Sequence, residues 1–282
     1  MEIWFFAALA AAAFSASKYG VQKHLLEDYS SVEIGYLGSV LSFIFILPVG
    51  AWSYLQHGLP LDPLAIAGVL ISGIGNVVGF YIYLEALRIE DLSVVSPLRR
   101  VTPVLVAFVE PLVFGLTYSV NVVLGALMAA AGGYVVLSGR QLLRAVRPSR
   151  GALMALSVSI IYAFNVIAER YATQVIDPLL FSALVWAVIL AGYALLARHH
   201  GEISPASEFL RPAIVLIGLL TVAGTVSMFY SLSIAEASRV ATVKQSVIVF
   251  NVLIGGFYFG EEDILQKIIG SLLIISGIVL VI

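Results

Sequence analysis

Apolar runs of about twenty residues follow one another along almost the whole chain, separated by short polar clusters. A membrane-crossing helix needs about 20 mostly apolar residues. Windows of that length predict about ten helices, over 3–22, 32–53, 63–87, 92–112, 119–138, 151–171, 178–197, 212–233, 239–258 and 265–282. The runs are continuous, whereas the strands of a membrane barrel alternate apolar and polar positions. Two separations are short. One is the turn signal at 115–119, and the other is 88–92, where Arg88, Glu90 and Asp91 mark water.

The pattern also repeats. A gapless shift of 145 residues places Gly73 on Gly218, Gly79 on Gly224, Gly125 on Gly270 and Gly132 on Gly277. Phe114-Gly115 falls on Phe259-Gly260, and the first two helices align at a shift near 147. The domain reading is therefore a first five-helix repeat over 1–138, a basic linker over 139–150 and a second five-helix repeat over 151–282. An odd number of crossings makes the second copy enter from the opposite face. That is the inverted-repeat plan of secondary transporters, with a site near the midplane. The fold class expected is an all-α integral membrane protein of about ten transmembrane helices in two inverted repeats.

Composition agrees with a lipid solvent. Of 282 residues, 61% are hydrophobic and 11% charged, against about 25% charged in an ordinary soluble domain. The net charge of −2 gives no basic surplus for nucleic acid. No cysteine is present, which removes disulfides, thiolate metal sites and cysteine nucleophiles. The N-terminus lacks a basic n-region, so its apolar run reads as a retained helix.

The chain resembles the EamA type of the drug/metabolite transporter superfamily over essentially its whole length. The residues that carry the resemblance are Ala86-Leu87-Arg88 at the end of the third window, Pro103 in the fourth and Phe259-Gly260-Glu261-Glu262 at the end of the ninth. The small polar run Ser15-Ala16-Ser17 followed by Lys23 adds to them. Three features depart from the family pattern. Leu116 stands where the first repeat usually has a glutamate, Ile248 replaces the proline equivalent to Pro103, and the Arg99-Arg100 pair is not a general family feature. The resemblance implies a ten-helix carrier with a central cavity lined largely by helices 3, 4, 8 and 9. It implies no substrate.

Charged residues within the apolar windows are the candidate chemistry, because an ionisable side chain in a membrane is costly and usually faces protein or water. Arg99 and Arg100 lie in the fourth window, and the 145 shift maps Lys244 onto Arg99 and Gln245 onto Arg100. A guanidinium offers a planar fork of donors suited to carboxylate or phosphate. Positions 99, 103, 106 and 110 share a helical face, and Pro103 deprives the Arg99 carbonyl of its helical partner. The candidate substrate-binding residues are Arg99, Lys244, Arg100, Asn76, Tyr81, Tyr83 and Asn251. The candidate coupling residues are Glu85 and Glu110, which would titrate during transport. The plainer readings pair Glu85 with Arg88, or an arginine with Glu85 or Glu110, or let Lys244 reach the interface. Ser15, Lys18 and Gln22 form a weaker polar face on helix 1. His199-His200 has no third ligand at a metal-binding spacing, so no metal and no cofactor are expected. The glycines at 73, 75 and 79 follow no strand and read as helix packing through small residues.

Arg140, Arg144, Arg147 and Arg150, with no acid among them, put the linker in the cytoplasm by the positive-inside rule. With ten helices both termini are then outside, whereas the resemblance implies both inside. The functional expectation is a secondary transporter of a small organic solute, amino-acid-like or anionic, working by alternating access in the plasma membrane. The alternative is an exporter of hydrophobic or cationic compounds using a carboxylate. An intramembrane enzyme or a scaffold is more remote: no Asp-rich prenyl motif, no His-Glu-x-x-His and no cysteine is found. The partners expected are the solute and the lipid bilayer, with a homodimer left open.

Overall fold

The computed structural model describes residues 2–25, 28–90, 95, 98–138, 149–202, 204–259 and 264–282, and no strand occurs among them. Helices follow in the order α1 (Ile3–Leu25), α2 (Ser31–His57), α3 (Pro63–Ile89), α4 (Thr102–Phe114), α5 (Val120–Ser138) and α6 (Arg150–Val175). The rest are α7 (Pro178–His200), α8 (Pro212–Ile234), α9 (Ala237–Lys244), α10 (Ser246–Phe259) and α11 (Ile264–Val281), with a 3-10 turn over Ala206–Leu210 before α8. The basic linker lies outside the described residues except for Ser149 and Arg150, as do Asp91 and Gly260–Asp263.

Several boundaries follow from local chemistry. Ser30-Ser31-Val32-Glu33 has capping-box spacing, and the Ser30 hydroxyl accepts from the Glu33 N–H at 3.1 Å to open α2. Asp177 accepts from the Leu179 N–H at 3.0 Å to open α7, with Pro178 in the first turn where its missing N–H costs nothing. Gly115 ends α4 in the left-handed region at φ 65°, which a side chain would strain.

Two expected helices are interrupted. The windows 92–112 and 239–258 predict continuous helices, but α4 begins only at Thr102, and α9 gives way to α10 at Gln245. Among the described residues, six helices are long and apolar enough to cross a membrane: α2, α3, α5, α6, α7 and α8. The interrupted pieces fall short for a geometric reason. The 13 residues of α4 span about 20 Å at 1.5 Å per residue, against a hydrocarbon core of about 30 Å.

The chain forms two compact units, and each draws on both sequence repeats. One holds Met1–Phe5, Val78–Ile167 and Ala235–Ile282. Its backbone is the crossing of α5 with α11. A Cβ on Gly125 would lie 2.5 Å from the Gly277 carbonyl, and a Cβ on Gly132 would lie 2.5 Å from the Gly270 carbonyl. Only glycine allows helices this close. The contacts are reciprocal under the 145 shift and run in opposite directions, so these equivalent helices are antiparallel. Gln266 donates to the Val135 carbonyl at 2.5 Å beside the crossing.

The other unit holds Phe6–Val77 and Ala168–Ile234. Here α2 packs on α7, again an equivalent pair and again antiparallel, with Gly35 against Tyr193 and Gly50 against Ala183. Phe181 and Phe229 meet edge to face at 4.7 Å in its core. At one end the Ala206–Leu210 turn is fastened by polar contacts. Tyr29 donates to Glu208, Ser204 donates to Glu33 at 2.7 Å, and Ser30 donates to Glu202 at 2.6 Å. Desolvation, helped by the bond to Glu208, pushes the Tyr29 phenol above its ordinary pKa.

Candidate functional site

The interruptions in α4 and at α9–α10 occupy matching positions, residues 100–101 and residue 245. In the first, the Val101 N–H bonds the Leu98 carbonyl at 3.3 Å, and the Val104 N–H bonds Val101 at 3.0 Å. These are three-residue spacings, tighter than α-helix. In the second, the Gln245 N–H bonds Thr242 at 3.0 Å, and the Ile248 N–H bonds Gln245 at 2.9 Å. Pro103, without an N–H, explains the first break. The second has Ile248 in that place, so there the break arises without a proline.

The two breaks touch. The Gln245 Nε2 donates to the Arg100 carbonyl at 3.1 Å, joining residues 145 apart. Gly133 on α5 clears room for both: a Cβ there would lie 2.9 Å from Ile248 and 3.6 Å from the Arg100 Cβ. Hydroxyls satisfy freed carbonyls nearby. Thr102 donates to the Arg99 carbonyl at 3.2 Å, Ser159 to Leu98 at 2.8 Å and Ser246 to Val243 at 2.8 Å.

Arg99 sits at the first break. Its guanidinium carbon lies 4.4 Å from the centre of the Tyr83 ring on α3 and 5.9 Å from that of Tyr162 on α6. Both distances are within cation–π range. The candidates Arg99 and Tyr83 are thus brought together. Arg100 contributes its carbonyl to the junction of the breaks, and its side chain is half-buried. Lys244 ends α9, Asn251 lies on α10 and Glu85 lies on α3, all half-buried. Tyr81 is exposed on α3. Asn76 belongs to the other unit, where its amide donates to the Ser72 carbonyl at 2.8 Å.

Glu110 is fully buried and has a different setting from Arg99. Its carboxylate accepts from the backbone N–H of Ala237 at 2.7 Å and of Ser238 at 2.8 Å, and from the Tyr118 hydroxyl. It therefore caps the N-terminus of α9, where an anion is favoured by the exposed N–H groups and the helix dipole. The expected shared face holds beyond the break: Pro103, Val106 and Glu110 are all buried on α4.

Three polar features escaped the reading of the sequence. Tyr162 shares a face of α6 with Ser159, three residues earlier, a spacing that was legible. Gln245 reaches the opposite break, which only the tertiary structure reveals. In the second unit, buried Glu169 accepts from Ser72 at 2.6 Å. Asn165, Glu169 and Thr173 recur every four residues on α6, and that spacing would have pointed to it.

The EamA-like transporter family matches residues 2–138 and again residues 149–282. The chain belongs to the EamA-like transporter family. This EamA-family member, part of the drug/metabolite transporter superfamily, is a multi-pass membrane protein of a family of small-solute transporters. One solved structure, described only as a crystal structure of a protein, is 19% identical and superposes with a TM-score of 0.72 over 98% of this chain and 94% of that one. At that identity the likeness speaks to the fold alone. No curated protein matches the chain.

Proposed function

We propose that this EamA-family member is a secondary carrier of a small organic solute bearing an anionic group, working by alternating access. The observation that carries the reading is the meeting of two matching helix breaks at Arg100 and Gln245, with Arg99 beside it. Interrupted membrane helices at equivalent positions of two repeats mark solute sites in secondary transporters. Antiparallel packing of α5 on α11 and of α2 on α7 supports inverted repeats over 1–138 and 151–282. A two-fold axis relating antiparallel neighbours lies across the helices, hence in the membrane plane. On this reading the short pieces count as parts of ten spans, and α9 with α10 forms one of them.

Arg99 is the recognition group, since its fork suits an oxyanion, and Lys244 lines the same aqueous path from the matching position. Glu85 remains the coupling candidate, while the contacts of Glu110 favour a capping role. The linker is cytoplasmic and the membrane is the plasma membrane. The test is solute counterflow in proteoliposomes against a broad set of metabolites, with protein-free liposomes as the control. Selective flux of organic anions is expected, and selective flux of cationic or purely apolar compounds would overturn the reading.

A further inference from the structure

One polar atom at the junction of the two helix breaks has no hydrogen-bond partner. Gln245 is 5% exposed, and its Nε2 donates to the Arg100 carbonyl at 3.1 Å. A backbone carbonyl offers only lone pairs, so the amide must turn its NH2 group toward it. That settles which end of the side chain is which. The other end, Oε1, is buried and makes no hydrogen bond. Turning the amide over would not help, because Oε1 would then face the carbonyl, acceptor against acceptor.

The donors beside Gln245 are committed elsewhere. Its own N–H bonds the Thr242 carbonyl at 3.0 Å, the Ile248 N–H bonds the Gln245 carbonyl at 2.9 Å, and the Ser246 hydroxyl donates to Val243 at 2.8 Å. Buried polar groups are nearly always hydrogen-bonded, so an exception calls for a physical reason. Its place in the fold supplies one. Broken helices at matching positions of two repeats gather the solute in secondary transporters, and Gln245 is the second break. The 145 shift puts Arg100 opposite it, so the first repeat has no equivalent amide. Arg100, which it bonds, and Lys244, which precedes it, are half-buried rather than sealed.

We infer that Gln245 is a specificity-determining residue whose Oε1 accepts a hydrogen bond from a hydroxyl or N–H group of the transported solute. The inference rests on the reading of the paired breaks as the solute site and adds a donor to the anionic group named there. While the site is open, water serves Oε1. Once it closes around the solute, the solute must. A solute without a donor leaves Oε1 buried and unpaired, which weakens binding about ten- to a hundredfold. Sites built to bond a substrate O–H or N–H reject analogues lacking that group for the same reason.

The test uses the full chain in one detergent and acids that differ only at C2. Propionate, L-lactate and L-alanine form one series, and succinate, L-malate and L-aspartate the other. A ligand that binds the folded state raises the melting temperature. The concentrations giving an equal rise, at matched ionic strength, therefore compare affinities. In at least one series the hydroxy or amino acid should need about ten- to a hundredfold less than the acid without a donor. Preference for the hydroxy acid identifies a hydroxyl as the donor, and preference for the amino acid an ammonium. In Gln245→Met, which keeps the length but lacks the acceptor, the members of that series should converge. General loosening of the break would weaken all members alike and preserve their ratio, so the ratio separates recognition from structure. The wild-type comparison stands by itself if Gln245→Met does not fold. Equal concentrations within both series in wild type would overturn the inference and leave the anionic-solute reading intact. An unchanged ratio in Gln245→Met would overturn the role of Gln245. Stabilisation by none of the acids would overturn the anionic-solute reading and the inference with it.

Discussion

Replacing Glu110 separates a structural cap from a coupling group. The carboxylate is fully buried and serves two α9 N–H donors, at 2.7 and 2.8 Å, and the Tyr118 hydroxyl. Glu110→Gln keeps the shape but turns one oxygen into an NH2 group that faces a donor. One buried N–H then lacks an acceptor, a loss of about 1–3 kcal/mol. Removing the negative charge from the helix N-terminus costs a further ~0.3–1 kcal/mol. The sum, about 1–4 kcal/mol, should lower the melting temperature by roughly 3–16 °C at the ~2–4 °C per kcal/mol found for chains of about 150–250 residues. Tyr118→Phe removes only the hydroxyl and leaves both N–H groups satisfied, so its effect should be clearly smaller. The assay is thermal unfolding of purified protein in one detergent, read by the monodisperse fraction after heating. A Glu110→Gln protein that melts like wild type but whose solute flux loses its pH dependence would refute the capping argument and restore Glu110 as a coupling group.

Three further outcomes are expected. Gly132→Ala places a Cβ 2.5 Å from the Gly270 carbonyl, where backbone must move; a loss of about 1–3 kcal/mol is expected and should appear as a lower melting temperature. Ser72→Ala removes the 2.6 Å donor to buried Glu169 and should destabilise by about 1–3 kcal/mol, with Ser72→Thr closer to wild type in the same unfolding assay. A single cysteine introduced within 139–148, in a chain that has none, should resist an impermeant maleimide in intact cells and react once they are opened; reaction in intact cells would reverse the orientation.

The helices and their packing were largely legible because lipid imposes long apolar runs, and because helices can approach closely only through small residues. The glycine register at 125, 132, 270 and 277 marked positions that meet at the α5–α11 crossing. The breaks were less legible. Pro103 signalled a freed carbonyl in one repeat, but in the other Ile248 gives no sign, and the Gln245 side chain finds its acceptor 145 residues away. Arg99 was visible as a charge in an apolar run. The contact of its guanidinium with Tyr162 was not, since 63 residues of chain separate the two and no local spacing links them. Glu110 shows the same limit: its buried face on α4 could be read from periodicity, but its α9 partners are 127 and 128 residues distant.

The central claim is that the Arg99 guanidinium recognises the anionic group of the transported solute. Its direct test is initial-rate flux of the best organic anion into proteoliposomes reconstituted with wild type, Arg99→Gln and Arg99→Lys at equal folded protein. Arg99→Gln should raise KM by about ten- to a hundredfold, as expected for losing a charge-assisted bidentate pair worth about 1.5–3 kcal/mol. Arg99→Lys should recover only part of that loss, because it keeps the charge without the fork. Wild-type kinetics in Arg99→Gln would contradict the account.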